Sequence, residues 1–234
     1  MKQHKTLSQR GFTLIELMIA TTVFSVILLA AATTLIQIGR LYYKAIIISK
    51  TQNVTRTVTD DLSRSIQFSS GNLQRANSTD VGQPLPDEPI IRAICFGNTR
   101  YTYVEKAQVA DAAADGSYDP ATGKIRHVLW KDTIFSEQCG NELPNLLISN
   151  PNAGSLANRN GRELLDNNMR LQRFSVDALT GGADIFDVNV KVVYYADSDL
   201  LNNFNDPTAC KGSVVGGQWC AISDLSSVVY SRAR

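Results

Sequence analysis

Polar and apolar positions divide the chain into three textures. From Leu17 to Ile38, 22 residues run with polar interruptions only at Thr21, Thr22, Ser25, Thr33, Thr34 and Gln37, and no charge follows Glu16 until Arg40. At about 1.5 Å per residue this stretch predicts a helix of roughly 30 Å, enough to cross the hydrocarbon core of a bilayer. Beyond it, Leu41, Ala45, Ile48, Thr55, Val58, Leu62 and Ile66 recur mostly at helical spacing, opposite Arg40, Lys44, Lys50, Arg56 and Asp60. The helix is therefore expected to continue as an amphipathic rod. No Pro falls between Phe12 and Asn72, and Ser69-Ser70-Gly71-Asn72 offers a stop with a Gly cap. One helix of roughly 80 Å is predicted. Gly39, at the junction of its halves, costs about 1 kcal/mol relative to Ala and reads equally well as a flexible joint or as a tolerated substitution.

After Asn72 the texture turns to short β-favouring runs. Pro84, Pro86 and Pro89 mark an extended connector, and strands are predicted over 90–96, 100–104, 124–130, 172–178, 185–195 and 228–231. Asp115-Gly116-Ser117-Tyr118-Asp119-Pro120 and Thr122-Gly123 separate two of these runs as a loop or hairpin would. Phe186, Val188, Val190 and Val192 alternate as in a half-buried antiparallel strand. The expected fold class is α+β, a long N-terminal helix packed on antiparallel sheet.

The residue out of place is Glu16. An acid inside lipid costs on the order of 2.5–3.5 kcal/mol at a helix centre, so a compensating group is required. The flank before it carries Lys2, Lys5 and Arg10 and no acid, which keeps the leader cytoplasmic and puts the bulk of the chain across the membrane. An ordinary secretory signal ending near Ala30-Ala31-Ala32 needs an apolar core of about 7–15 residues; this run is longer and begins with an internal acid. A plain membrane anchor leaves Glu16 without a role.

Gly11-Phe12-Thr13-Leu14-Ile15-Glu16-Leu17, behind a basic leader, resembles the prepilin cleavage and methylation motif of type IV pilins and type II secretion pseudopilins. The resemblance implies cleavage after Gly11 by a membrane aspartic peptidase and N-methylation of the new terminal Phe12. It also implies that Glu16 pairs with the terminal amine of a neighbouring subunit during assembly. Opposite charges about 4 Å apart at an effective dielectric near 20 attract by about 4 kcal/mol before desolvation, comparable to the insertion cost. The plainer alternative, Glu16 snorkelling at the membrane surface, leaves filament growth unexplained. The resulting division is a leader over 1–11, a transmembrane half-helix over 12–38, an amphipathic half over 39–70 and a β-rich domain over 71–234. Many pilins carry a Pro in the membrane half; this chain does not.

Charge is balanced at 23 basic against 22 acidic residues, and loss of residues 1–11 removes Lys2, Lys5 and Arg10, leaving 20 against 22. Nothing in that balance points to nucleic acid. Arg159 and Arg162, Arg170 and Arg173, and Arg232 and Arg234 are scattered; Arg170 and Arg173 would share a patch only on a helix. The four cysteines all lie in the exported portion, where an even count suggests two disulfides. Sequence proximity favours Cys210–Cys220 and leaves Cys95–Cys139, although three pairings are open. No CxxC occurs and only two histidines exist, which argues against zinc. His127, the one exported His, reads as structural, and no nucleophile elbow, phosphate loop or dinucleotide fingerprint supports an enzyme. No cofactor is expected. The oxygen-rich stretch containing Asp197, Asp199 and Asp206 is a weak calcium candidate that departs from the EF-hand pattern; an Asx-rich turn accounts for it as well.

Within the family, the size of the domain, the Asp60-Asp61-Leu62-Ser63-Arg64 helix end and a final strand from Leu225 to Tyr230 resemble W-type minor pilins and J-type pseudopilins. That resemblance implies a subunit that primes pilus assembly and sits at or near the tip. The alternatives are a minor pseudopilin of a type II secretion system and a tip adhesin or DNA- or surface-binding subunit. The implied partners are other pilin or pseudopilin subunits, the prepilin peptidase, the inner-membrane assembly platform and membrane lipid. The implied location is the inner membrane, then a filament at the cell surface.

Overall fold

The computed structural model describes residues 11–69, 73–78, 89–110, 117–120, 123–135, 138–148, 161–179, 184–195, 210 and 219–232. Among the described residues a single helix, α1 (Leu14–Phe68), precedes ten strands. The chain divides into two compact units, Met1–Tyr42 and Tyr43–Arg234. In the first, the helix buries nothing: Leu17, Phe24, Leu29 and Leu35 are 60–69% exposed.

The second unit holds the rest of α1 and all the strands. In chain order these are β1 (Leu73–Asn77), β2 (Arg92–Phe96), β3 (Thr99–Tyr103), β4 (Gln108–Val109), β5 (Lys124–Ile125), β6 (Leu129–Thr133), β7 (Arg162–Glu163), β8 (Met169–Ala178), β9 (Ile185–Tyr194) and β10 (Ala221–Tyr230). They form two five-stranded sheets, ordered β1-β2-β3-β6-β7 and β10-β9-β8-β4-β5. The first is antiparallel throughout. The second is antiparallel except at one edge, where β4 and β5 pair parallel. The arrangement is the expected α+β one, a long N-terminal helix packed on antiparallel sheet, here as two sheets.

Three local departures from the sequence reading have physical causes. The run 124–130 is two strands in different sheets, split by bends at Arg126 and Val128 between β5 and β6. The last strand is ten residues long, beginning at Ala221. Ser223, Asp224, Ser226 and Ser227 disguise it; among the described residues it is an edge strand, paired only with β9. Arg170 and Arg173 lie on β8, not a helix; Arg170 is fully buried and Arg173 exposed, so they share no basic patch.

The buried face of α1 also differs from the predicted stripe. Leu41 and Ala45 are exposed, while Ile47, Thr51, Thr55, Val58, Thr59, Leu62 and Ile66 are buried. The threonines fit because each hydroxyl donates back to its own helix: Thr51 to the Ile47 carbonyl, Thr55 to that of Thr51 and Thr59 to that of Thr55, all at 2.8 Å. With the hydroxyl satisfied, the methyl faces the core. Val58, Leu62 and Ile66 join one core with Ile94, Tyr101 and Leu129 of the first sheet and Leu171, Phe174, Val176 and Val190 of the second. Burying each such aliphatic side chain contributes about 1.5–3 kcal/mol.

Polar contacts fix the helix in register. Asp61 accepts from Lys131 Nζ (2.8 Å to each oxygen) and from the Tyr101 hydroxyl (2.8 Å), and Ser65 Oγ lies 2.7 Å from that hydroxyl. Burial pushes the Tyr101 phenol well above its ordinary value, despite the hydrogen bond from Ser65. Disulfides join Cys95 to Cys139 and Cys210 to Cys220.

Candidate functional site

The candidate site is the start of α1. Thr13 is its N-cap. The Glu16 N–H donates to Thr13 Oγ1 (3.3 Å), and Glu16 Oε2 accepts both the Thr13 N–H (2.9 Å) and the Thr13 hydroxyl (2.8 Å). The first helical bond, Leu17 N–H to the Thr13 carbonyl, closes at 3.3 Å. This is a capping box, a T-x-x-E pattern in which cap and acid satisfy each other's backbone donors. Both bonds to the carboxylate end on Oε2, and Oε1 has no partner among the described residues. Every atom of the box lies on the C-terminal side of the Gly11–Phe12 bond. The capping role of Thr13 went unread in the sequence, although the Thr13–Glu16 spacing carries the signal.

The exposed segment that follows suits lipid. Its hydroxyls close on helix carbonyls: Thr21 on Met18 (3.0 Å), Thr22 on Ile19 (2.8 Å), Ser25 on Thr21 (2.7 Å), and Thr33 and Thr34 on Ala30 (2.9 and 2.8 Å). Five of the six polar interruptions therefore demand nothing of the surroundings, as a spanning helix requires. Length and composition make α1 the one helix among the described residues apolar enough to cross a membrane, and the most apolar part of it is wholly unburied.

A comparison with known families gives one match, the prokaryotic N-terminal methylation motif, over residues 7–32. The chain carries the prepilin-type signal of type IV pilins and pseudopilins. The match takes in Gly11, Phe12 and Glu16 and the apolar run as far as Ala32. No curated protein and no solved structure matches the chain. The signal marks a structural class of protein, associated with other pilin-type subunits and with a prepilin peptidase, and anchored by a single N-terminal helix.

Asp197, Asp199 and Asp206 lie outside the described residues, and among the described residues no cluster of His, Cys, Asp or Glu is placed to hold a metal ion. His127 packs edge-on against Trp130 (centroids 4.7 Å), with Nδ1 3.7 Å from Glu163 Oε2. Glu163 is itself committed to the backbone N–H groups of Val128 (2.8 Å), Leu129 (3.0 Å) and Leu165 (3.1 Å), and burial pushes its carboxyl up. That geometry ties β7 to β6, and sequence reasoning missed it. A second structural pair it missed is Arg100–Asp132, both side chains 1% exposed.

Proposed function

We propose that this chain is a minor pilin, cut after Gly11, N-methylated on Phe12 and held in the inner membrane by residues 12–38 until it enters a type IV pilus. The observation that carries the reading is the methylation motif over residues 7–32 set on a helix whose residues 12–38 are all exposed. In this reading the domain lies outside the cytoplasm. Two disulfides fit an oxidising compartment there.

Glu16 then has two partners. Its Oε2 caps the helix through Thr13, while Oε1 is open to the Phe12 amine that cleavage creates on a neighbouring subunit. The pairing converts the cost of an acid in lipid into an attraction between subunits. Domain size and the helix end at Asp61–Arg64 support a W-type minor pilin that primes assembly near the tip. The same motif serves a type II secretion pseudopilin of the J type, which is the second reading. A DNA-binding tip subunit draws no support from the arginines, since Arg170 is buried and binding to phosphates needs a focused basic face.

Mass analysis of the mature N-terminus tests the proposal. A chain beginning at N-methylated Phe12 is the expected result, and one beginning at Thr33 would replace it with an ordinary signal peptide. Neighbouring genes separate the two systems, a retraction motor pointing to pili and a secretin with secreted hydrolases to secretion.

A further inference from the structure

Trp219 and Tyr43 form an aromatic pair at the surface, with ring centroids 5.4 Å apart and planes tilted by 42°. Both stay substantially exposed, Tyr43 by 53% and Trp219 by 41%. Trp219 is firmly placed. The next residue, Cys220, is buried, disulfide-bonded to Cys210 and packed with Val193 and Tyr195 of the second unit's core. A large ring held partly out of the core by a crosslinked neighbour keeps a face open to its surroundings.

Its position along the chain says what those surroundings are. Tyr43 lies five residues beyond Ile38, the last residue of the lipid-length run, which is about 7–8 Å of helix. Hydrocarbon occupies about 30 Å of a bilayer that measures about 40–45 Å with its headgroups, so each headgroup layer is roughly 5–8 Å deep. The Tyr43 ring thus falls at headgroup depth, and the Trp219 ring centroid lies 5.4 Å from it. Trp and Tyr favour this layer, where the ring meets apolar material and the polar edge meets water. Arg40 and Lys44 bracket Tyr43 in the sequence and bring the charge that suits lipid phosphate.

We propose that Tyr43 and Trp219 form a headgroup-level contact between the globular domain and the phospholipid surface on its side of the membrane. The Cys210–Cys220 disulfide fixes Trp219 in that contact. The inference rests on the reading of residues 12–38 as a membrane span. It makes the domain a second point of membrane attachment before the subunit leaves for a filament.

The test uses the full chain reconstituted into phosphatidylethanolamine–phosphatidylglycerol vesicles carrying a nitroxide either near the headgroup or near the bilayer centre. Subtracting the emission of Trp219→Phe from that of the wild type isolates Trp219 without touching the buried Trp130. Expected is flotation with the vesicles and loss of the Trp219 emission mainly with the shallow nitroxide. Flotation with no loss from either nitroxide, or with greater loss from the deep one, would overturn the headgroup contact while sparing the membrane span. Failure to float would overturn the span and the contact together.

Discussion

Asp132→Ala should cost this protein more than any single change on its surface. Arg100 sits on β3 opposite Cys95 on one side and Asp132 on the other. Its Nε and Nη2 donate to the two carboxylate oxygens at 2.9 and 2.6 Å, and Nη1 donates to the Asn141 carbonyl at 2.8 Å. With both side chains 1% exposed, removing the acid strands a guanidinium that water cannot reach, and breaking such a pair costs about 3–5 kcal/mol. Set against a whole-domain stability of about 5–15 kcal/mol, that is about a fifth of the total or more. The double variant Arg100→Met/Asp132→Leu removes both charges and loses chiefly the hydrogen bond to the Asn141 carbonyl, at about 1–3 kcal/mol. It should therefore be more stable than Asp132→Ala alone. Chemical denaturation of the full chain in detergent micelles, followed by near-ultraviolet circular dichroism, reads both as midpoint shifts at constant slope. A single-variant loss of only about 0–1 kcal/mol, the range of an exposed pair, would refute the reasoning, as would a double variant weaker than the single.

Gly161→Ala is expected to lower the melting temperature, because a Cβ there would come within 2.5 Å of Trp130 Cζ2 and closer still to other indole atoms; overpacking of this kind costs about 1–3 kcal/mol, and an unchanged melting curve would count against the packing described. Burial, reinforced by Glu105, raises the Tyr103 phenol from 10.0 to about 12. The unfolded chain ionises first, so stability is intact below pH 10 and is lost as pH rises towards 12, by about 2–3 kcal/mol at 1.36 kcal/mol per unit. Tyr103→Phe should show a shallower alkaline loss in denaturation midpoint than the wild type, and parallel profiles would remove Tyr103 as the cause. At the N-terminus, Glu16→Gln keeps a cap acceptor and loses the charge, Glu16→Ala loses both, and Thr13→Ala loses the cap hydroxyl alone. Filament incorporation scored by immunoblot of sheared filaments should fail in both Glu16 variants and persist in Thr13→Ala, whereas rescue by Gln would assign Glu16 to capping only.

What the sequence discloses depends on how a residue's burial relates to its polarity. The motif at Gly11–Glu16 is read from identity and spacing, and the long helix from apolar periodicity, since both are local. Strands β2, β3, β8 and β9 show through their β-branched and aromatic residues. Thr51, Thr55 and Thr59 do not, because a hydroxyl that closes on its own helix makes a polar letter behave as an apolar one. β10 hides for the opposite reason: an edge strand presents polar residues to water, and Asp224 serves it by facing Lys191 across the pair, 3.8 Å away. Arg100 and Arg170 mislead most strongly, since a charged residue reads as surface until its partners, 32 and 25 residues away at Asp132 and Tyr195, are seen in place.

The acid that stands out in the apolar run also acquires a more definite meaning from its geometry. Had both Glu16 oxygens been tied to Thr13, joining a filament would require the helix start to be undone before a neighbour could bind. Instead the cap uses Oε2 alone. Cleavage after Gly11 would remove no atom of the cap and would add a cation one residue before it. The proposed pairing can therefore form on a helix that is already closed, with the carboxylate held in one orientation by Thr13. An acceptor fixed in advance loses less conformational freedom on binding than a free side chain. Thr13 in this view is a positioning residue whose removal loosens the carboxylate without discharging it, and the contrast between Thr13→Ala and Glu16→Gln follows from that difference.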